Sequence, residues 1–166
     1  MNFDEITRLL SEKFGSDVII EVQTGGLQPA LIINPNSIVP VCEELRDNKS
    51  TWFDFLSCLT GIDHGVEHNK FSVIYHLASI PHKHQLVLKV IIDHDRNLDS
   101  LPTFISVSDV WKTAEWHERE AFDLLGIQFE GHPDLRRILL PDDWEGYPLR
   151  KDYIAADEYK GIKIKE

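Results

Sequence analysis

Leu86-Val87-Leu88-Lys89-Val90-Ile91-Ile92 is a nearly continuous apolar run of strand length. A run this short, rich in branched residues and broken by one lysine, suits a central strand buried on both faces. Upstream, Phe71, Val73, Tyr75 and Leu77 alternate with smaller or polar residues, the period of a strand with one buried face. Phe53 to Leu59 is mostly apolar and is followed closely by Gly61. Val18 to Val22 and Ala30 to Ile33 read as a hairpin turning at Gly25-Gly26, with Pro35 stopping the return strand. Phe3, Ile6, Leu9, Leu10 and Phe14 share one helical face, and Gly15 is placed to end that helix. Pro40 suits the first turn of a second helix, with Ser37 as its cap and Val41 and Leu45 on its buried side. This order predicts an α+β fold: a mixed, mostly antiparallel sheet with helices packed on one face.

Downstream, the pattern predicts a helix capped near Ser108 and ending before Gly126. Val110, Ala114, His117, Ala121 and Leu124 form one stripe, and Trp116, Glu120 and Asp123 a second. Glu115 and Arg119 stand four apart with the acid first, the favourable order. After Gly126, Pro133, Pro141 and Pro148 make long helices unfavourable. Yet Ile127, Phe129, Leu135, Ile138, Leu139, Leu140, Trp144, Tyr147 and Leu149 are large and apolar. Such a stretch must pack on its own sheet or lie on a partner. The expected division is an α+β domain over 1–107, a helix over 108–126 and an extended partner-binding tail over 127–166.

The chain has 166 residues, enough for one domain with its own core. Its net charge of −11 argues against binding nucleic acid or anionic lipid, both of which need a basic surface. The charge is spread, with −6 over residues 1–107 and −5 over the rest. No apolar run approaches the ~18–20 residues of a membrane span. The acidic start, Met1 to Glu5, has the character of neither an export signal nor a mitochondrial presequence. Cys42 and Cys58 are not a C-x-x-C pair and are expected buried and reduced.

Phosphate-loop, dinucleotide and nucleophile-elbow motifs are all missing. His117-Glu118-Arg119-Glu120-Ala121 begins like the helical zinc motif H-E-x-x-H, but alanine replaces the second histidine. His82 and His84, the run Asp93-His94-Asp95-Arg96, and His64 and His68 with Asp63 and Glu67 are three histidine groups with no diagnostic ligand spacing. Polar turns between strands account for them better. The charged residues around the last helix are less ordinary. Glu118, Arg119, Glu120 and Asp123 share it with Trp116, and Arg136-Arg137 and Arg150-Lys151 follow in the tail. Arginine's planar fork suits buried carboxylates, so these groups are candidates for salt bridges that pin tail to helix.

The stretch Trp116-His-Glu-Arg-Glu-Ala-Phe-Asp-Leu-Leu-Gly126, continuing through Gly131-His132-Pro133-Asp134-Leu135-Arg136-Arg137-Ile138-Leu139, closely resembles the signature of the 30 kDa subunit of respiratory complex I. In bacteria that family is the C subunit of NADH:quinone oxidoreductase. Pro141-Asp-Asp-Trp144-Glu-Gly146-Tyr147-Pro148-Leu149-Arg150-Lys151-Asp152-Tyr153 looks like its C-terminal segment. The match spans about forty residues; upstream it extends to length and element order. Leu125 stands where the family often has phenylalanine, and Tyr147 where it often has histidine.

The resemblance implies a subunit with no redox centre of its own and no activity when isolated. Its implied partners are the large quinone-site subunit (the 49 kDa homologue) and the small iron–sulfur subunit. FMN, the iron–sulfur clusters and quinone would belong to other chains. The whole complex would oxidise NADH, reduce quinone and move ions, with this chain peripheral on the cytoplasmic side of a bacterial membrane. Two cysteines agree with this, since a cluster site needs four thiolates. The implied partner-interface and assembly residues are Trp116, Glu118, Arg119, Glu120, Asp123, Gly126, His132, Arg136, Arg137, Trp144, Arg150 and Lys151. Two alternatives stand beside this reading. One is the equivalent subunit of a membrane-bound nickel–iron hydrogenase-related complex. The other is a free-standing metal-dependent enzyme using Asp93, His94 and Asp95.

Overall fold

The computed structural model describes residues 1–163, so the last three residues of the expected tail lie outside the described part. Helix α1 (Phe3–Phe14) opens with a reciprocal cap, in which the Asn2 side chain accepts from the Glu5 amide and the Glu5 carboxylate from the Asn2 amide. Strands β1 (Ile19–Gln23) and β2 (Ala30–Ile33) form the expected hairpin, and α2 (Ile38–Asp47) follows a short 3-10 turn at Pro35–Ser37. Ser37 makes no side-chain cap there; Asn34 caps the preceding turn through the Asn36 amide instead. Three long strands come next: β3 (Phe55–Asp63), β4 (Lys70–Ser79) and β5 (His84–Asp93). Last come β6 (Thr103–Ile105), α3 (Ala114–Leu125), β7 (Gln128–Glu130) and a hairpin of two-residue strands, β8 (Glu158–Tyr159) with β9 (Ile162–Lys163).

The main sheet has the order β1-β2-β5-β4-β3 and is mixed, with only the β2–β5 pair parallel. The run at 86–92 lies in its central strand. Leu86, Leu88 and Val90 join Phe71, Val73, Tyr75 and Leu77 on one face. Ile6 and Leu10 of α1, and Ile38, Val41 and Leu45 of α2, close over that face. Cys42 is buried in this core and Cys58 is half-buried; both are free thiols. No helix among the described residues is long and apolar enough to cross a membrane.

The third helix begins six residues later than the sequence pattern implied. Residues 107–113 form turns, with the Val110 and Trp111 amides both donating to the Val107 carbonyl. Ser108 is not the cap: Thr113 stands at that position, and the Ser108 hydroxyl accepts from Ser106 Oγ instead. Side chains of this segment plug the open edge of β3: Thr113 Oγ1 donates to the Leu56 carbonyl at 3.3 Å, and the Leu59 amide donates to His117 Nδ1 at 3.2 Å. An unpaired strand edge is a template for aggregation, and here the helix covers it. Gly61 permits the close fit, since a Cβ there would meet Ile127 and Leu125 at 2.8 Å. Beyond the helix, β7 pairs in parallel with β6, stitching the start of the C-terminal segment to the domain.

Candidate functional site

The polar groups around α3 form two clamps that hold the C-terminal segment. The first is built on Asp123, which is fully buried. A carboxylate in the last turn of a helix opposes the helix dipole, so it needs strong compensation. Arg137 Nη1 donates to Oδ1 at 2.7 Å, and the amides of Ile138, Leu139 and Leu140 all donate to Oδ2 at 2.7–3.0 Å. Burial pushes the Asp123 pKa up, but the amides and the guanidinium outweigh it and hold the group below its ordinary range. Arg137 Nη2 spans to the carbonyls of Trp144 and Gly146, tying a second loop to the same point. Arg119 adds to this from one helical turn earlier, donating to the carbonyls of Arg136 and Arg137. His132 donates from Nε2 to the Glu115 carbonyl and accepts the Asp134 amide at Nδ1, so those partners select the Nε2–H tautomer.

Gly126 closes the helix in the left-handed region, at φ +65°. A Cβ there would lie 2.5 Å from the Tyr147 ring, so that ring can pack on the helix end only over glycine. Tyr147 also stands over Arg137 and Arg150, at 5.3 and 4.9 Å from ring centre to guanidinium carbon. The aromatic ring at position 147, where the related signature often carries histidine, thus serves as a spacer between two cations. Arg150 is buried between Tyr147 and Phe71, and its Nε donates to the Leu125 carbonyl at 2.7 Å. It therefore caps the helix C-terminus, as a cation there should. Burial lowers its pKa.

The second clamp was not legible in the sequence as a unit. Arg96, in a left-handed turn at φ +68°, lies between two carboxylates. It forks onto Asp63, at the end of β3, and onto Asp152, in the C-terminal segment. Asp63 also accepts the amides of Gly65 and Lys151, both at 2.8 Å. Burial alone would raise the Asp63 pKa, but Arg96 and the two amides bring it down to about 2.

The twelve residues singled out above fall into distinct roles. Arg119, Asp123, Gly126, His132, Arg137 and Arg150 meet in the clamps, and Lys151 contributes its backbone amide. Trp144 is half-buried and stacks on Tyr159 at 5.2 Å. Trp116, Glu120 and Arg136 face outward, with Trp116 60% exposed beneath the Arg119 guanidinium. Glu118 points the other way, into the core. It accepts from Ser106 Oγ at 2.6 Å and the Val107 amide at 2.8 Å, and so holds the loop before the helix rather than the segment after it. Burial lifts its pKa to about 7 despite those two bonds.

The histidine groups have local partners. His82 and His84 bond the carbonyls of Lys49 and Thr51, His64 meets the Ser72 hydroxyl, and His94 bonds the Ser100 carbonyl. Asp93 and Asp95 point to solvent. Among the described residues, no three His, Cys, Asp or Glu side chains converge to hold a metal ion.

Fold and clamps together define an α+β domain bearing a C-terminal strap that buried ion pairs fasten down. Comparison with known proteins gives that class a family. Residues 31–159 match the family described as respiratory-chain NADH dehydrogenase, 30 Kd subunit, and the chain belongs to it. It is 42% identical over 159 residues to the C subunit of the NADH-quinone oxidoreductase of Chloroherpeton thalassium, covering 95% of this chain and 63% of that one. It is 39% identical over 158 residues to the C subunit of the same oxidoreductase from Chlorobium phaeobacteroides, covering 94% and 91%. The chain thus spans a little under two thirds of the first relative and nearly all of the second. Among solved structures, a chain of the membrane-bound sulfane sulfur reductase, an archaeal respiratory membrane complex, shares the fold. Its TM-score is 0.72 at 23% identity, over 91% of this chain and 85% of that one.

Proposed function

We propose that this chain is a non-catalytic structural and assembly subunit of the peripheral arm of an NADH-quinone oxidoreductase. It carries no flavin, iron–sulfur cluster or quinone; those sit in partner subunits, and electron transfer coupled to ion translocation belongs to the whole complex. Its partners are the large quinone-site subunit, the 49 kDa homologue, and the small iron–sulfur subunit. It reaches the cytoplasmic face of the membrane through them, without inserting. The domain of residues 1–107 serves as the body, the helix region 108–126 as the anchor, and residues 127–166 as the partner-binding tail.

The observation that carries this reading is the division of labour around α3. Its buried charges fasten the strap. The outward side chains Trp116, Leu139, Leu149 and Ile154 are large, apolar and 56–86% exposed. Exposed apolar side chains also occur elsewhere, at Ile20, Leu27, Trp52 and Ile80 among others; what sets these four apart is that the buried charges of α3 hold the strap that carries most of them. The test is spectroscopic and genetic. The purified chain should show no flavin or iron–sulfur absorbance and oxidise no NADH, while its deletion should abolish assembly of the arm. A chromophore bound to the isolated chain would refute the proposal.

A second reading is an equivalent subunit in a membrane-bound nickel–iron hydrogenase-related complex; the likeness to a chain of the sulfane sulfur reductase is one of fold alone. The large subunit recovered with the chain separates the two, since a nickel–iron site needs cysteine pairs that a quinone-site subunit does not.

A further inference from the structure

Glu118 and the turn before α3 share hydrogen bonds that can be satisfied in two ways. Ser106 Oγ lies 2.6 Å from Glu118 Oε2 and 2.8 Å from Ser108 Oγ, and it accepts the Ser108 amide at 3.1 Å. A hydroxyl carries one proton, so Ser106 can donate to only one of those two neighbours at a time. Ionised Glu118 only accepts. Ser106 then donates to it, and the Ser108 hydroxyl turns to donate to Ser106. Protonated Glu118 donates to Ser106 instead, which frees the Ser106 proton for Ser108 Oγ. In both states Glu118 Oε1 keeps the Val107 amide, at 2.8 Å, so neither state has fewer bonds. Hydroxyl protons turn, and the heavy atoms stay where they are. The Asp123 cage has no such second state, because amides and a guanidinium cannot accept.

The surroundings leave both states open. The titratable groups that face Glu118 are Glu115 on its own helix, Cys42 of α2 and Tyr75 of β4. Burial pushes the Cys42 thiol and the Tyr75 phenol up, so both stay neutral, and Glu115 adds only negative charge. Among the described residues no cation pairs with Glu118, and burial lifts its pKa to about 7. Glu118 and Ser108 are closed off while Ser106 is half-buried, so Ser106 is the hydroxyl through which solvent reaches the chain of bonds. We propose that Glu118, Ser106 and Ser108 form a pH-sensitive switch, a hydroxyl chain that reverses direction as Glu118 takes one proton from water or returns it. The switch sits at the base of the strap, since the Ser106 amide donates to the Glu130 carbonyl at 2.8 Å, next to the β6–β7 pairing. It lies within this chain and does not depend on the subunit role proposed above.

Carboxyl and amide NMR of the full chain, titrated through neutral pH, tests it, with Glu118→Gln identifying the Glu118 carboxyl signal. In the unaltered chain the Ser108 amide signal should titrate at the same midpoint as that carboxyl. In Glu118→Gln it should stay constant, because the Gln amide donates to Ser106 as the acid does while its carbonyl accepts from Val107. Ser108→Ala removes the acceptor that only the protonated state uses. Stranding the Ser106 proton costs more than losing the Ser108 donor, so the Glu118 midpoint should fall by roughly 0.5–1 pH unit. Ser106→Ala removes the donor to the carboxylate, the stronger of the two bonds it makes, and the midpoint should rise. A fixed arrangement, with Ser106 always donating to Glu118, gives no fall in Ser108→Ala. A midpoint that stays or rises in Ser108→Ala overturns the proposal. So does a Ser108 amide signal that does not follow the Glu118 carboxyl in the unaltered chain, a reading that needs no variant to fold.

Discussion

Asp123→Ala is the substitution in which the clamp predicts most from one side chain. It removes the one carboxylate among the described residues that meets Arg137, and strands the amides of Ile138, Leu139 and Leu140 together. Hydrogen bonds to a charged group are each worth ~1.5–3 kcal/mol, but four bonds to one carboxylate do not add. Breaking a buried pair from one side costs ~3–5 kcal/mol. The Arg137 side chain keeps 15% exposure and carbonyl partners at Trp144 and Gly146, so it recovers part of that loss. The expected destabilisation is therefore near the low end, about 3 kcal/mol. Urea unfolding at pH 7 measures it, and amide exchange locates it, since the amides of 138–140 should lose protection before those of β4 and β5. The pH dependence supplies a sign. A depressed carboxylate stabilises above its ordinary pKa of 3.8, and that contribution is lost as pH falls through the folded value. Wild type and variant should thus converge in acid. A loss under ~1 kcal/mol with 138–140 still protected would refute the clamp.

Glu118→Gln should act in the opposite sense: the folded pKa of about 7 lies above the ordinary 4.5, so the charged form costs stability above pH 7 and the cost fades between 7 and 4.5. The neutral variant should flatten that window and gain up to roughly 3 kcal/mol at pH 8 in denaturant titrations. Gly126→Ala puts a Cβ into the Tyr147 ring at positive φ, and its melting curve should report a loss of about 2 kcal/mol or more. Arg136→Ala breaks only a solvent-exposed pair with Asp134, so isolated-chain stability should move by less than ~0.5 kcal/mol while the yield of assembled arm falls.

Elements with a complete local signal were legible in the sequence. Phe3–Phe14 and Ala30–Ile33 run as their periodicity and flanking glycine and proline dictate. The 86–92 run is central in the sheet, but helices cover only the face of Leu86, Leu88 and Val90, and Lys89 and Ile91 on the other face are half-buried, so the expected burial of both faces is only partly met. The start of α3 was misread for a physical reason: Val107, Val110, Trp111 and Ala114 are spaced like one helical face, and the chain there does make successive helical-type turns without joining them. Dating the helix from 108 also put His117 and Leu124 on the buried stripe, where the structure buries Ala114, Glu118, Ala121 and Leu125. The Asp123–Arg137 lock lay within one motif and was visible as charges of opposite sign. The Asp63–Arg96–Asp152 clamp joins three distant segments, and only the sheet register brings them together.

A chain that works by being held in a respiratory complex should never be found alone in its native membrane. Purifying it from there, tagged, and identifying what accompanies it puts that to the test. The quinone-site and small iron–sulfur subunits should be recovered in equal amounts with it, and should be lost when Asp123 and Arg96 are both replaced. Recovery of the chain alone would show that it is no part of such a complex, and partners that survive the double replacement intact would show that the clamped strap does not hold them.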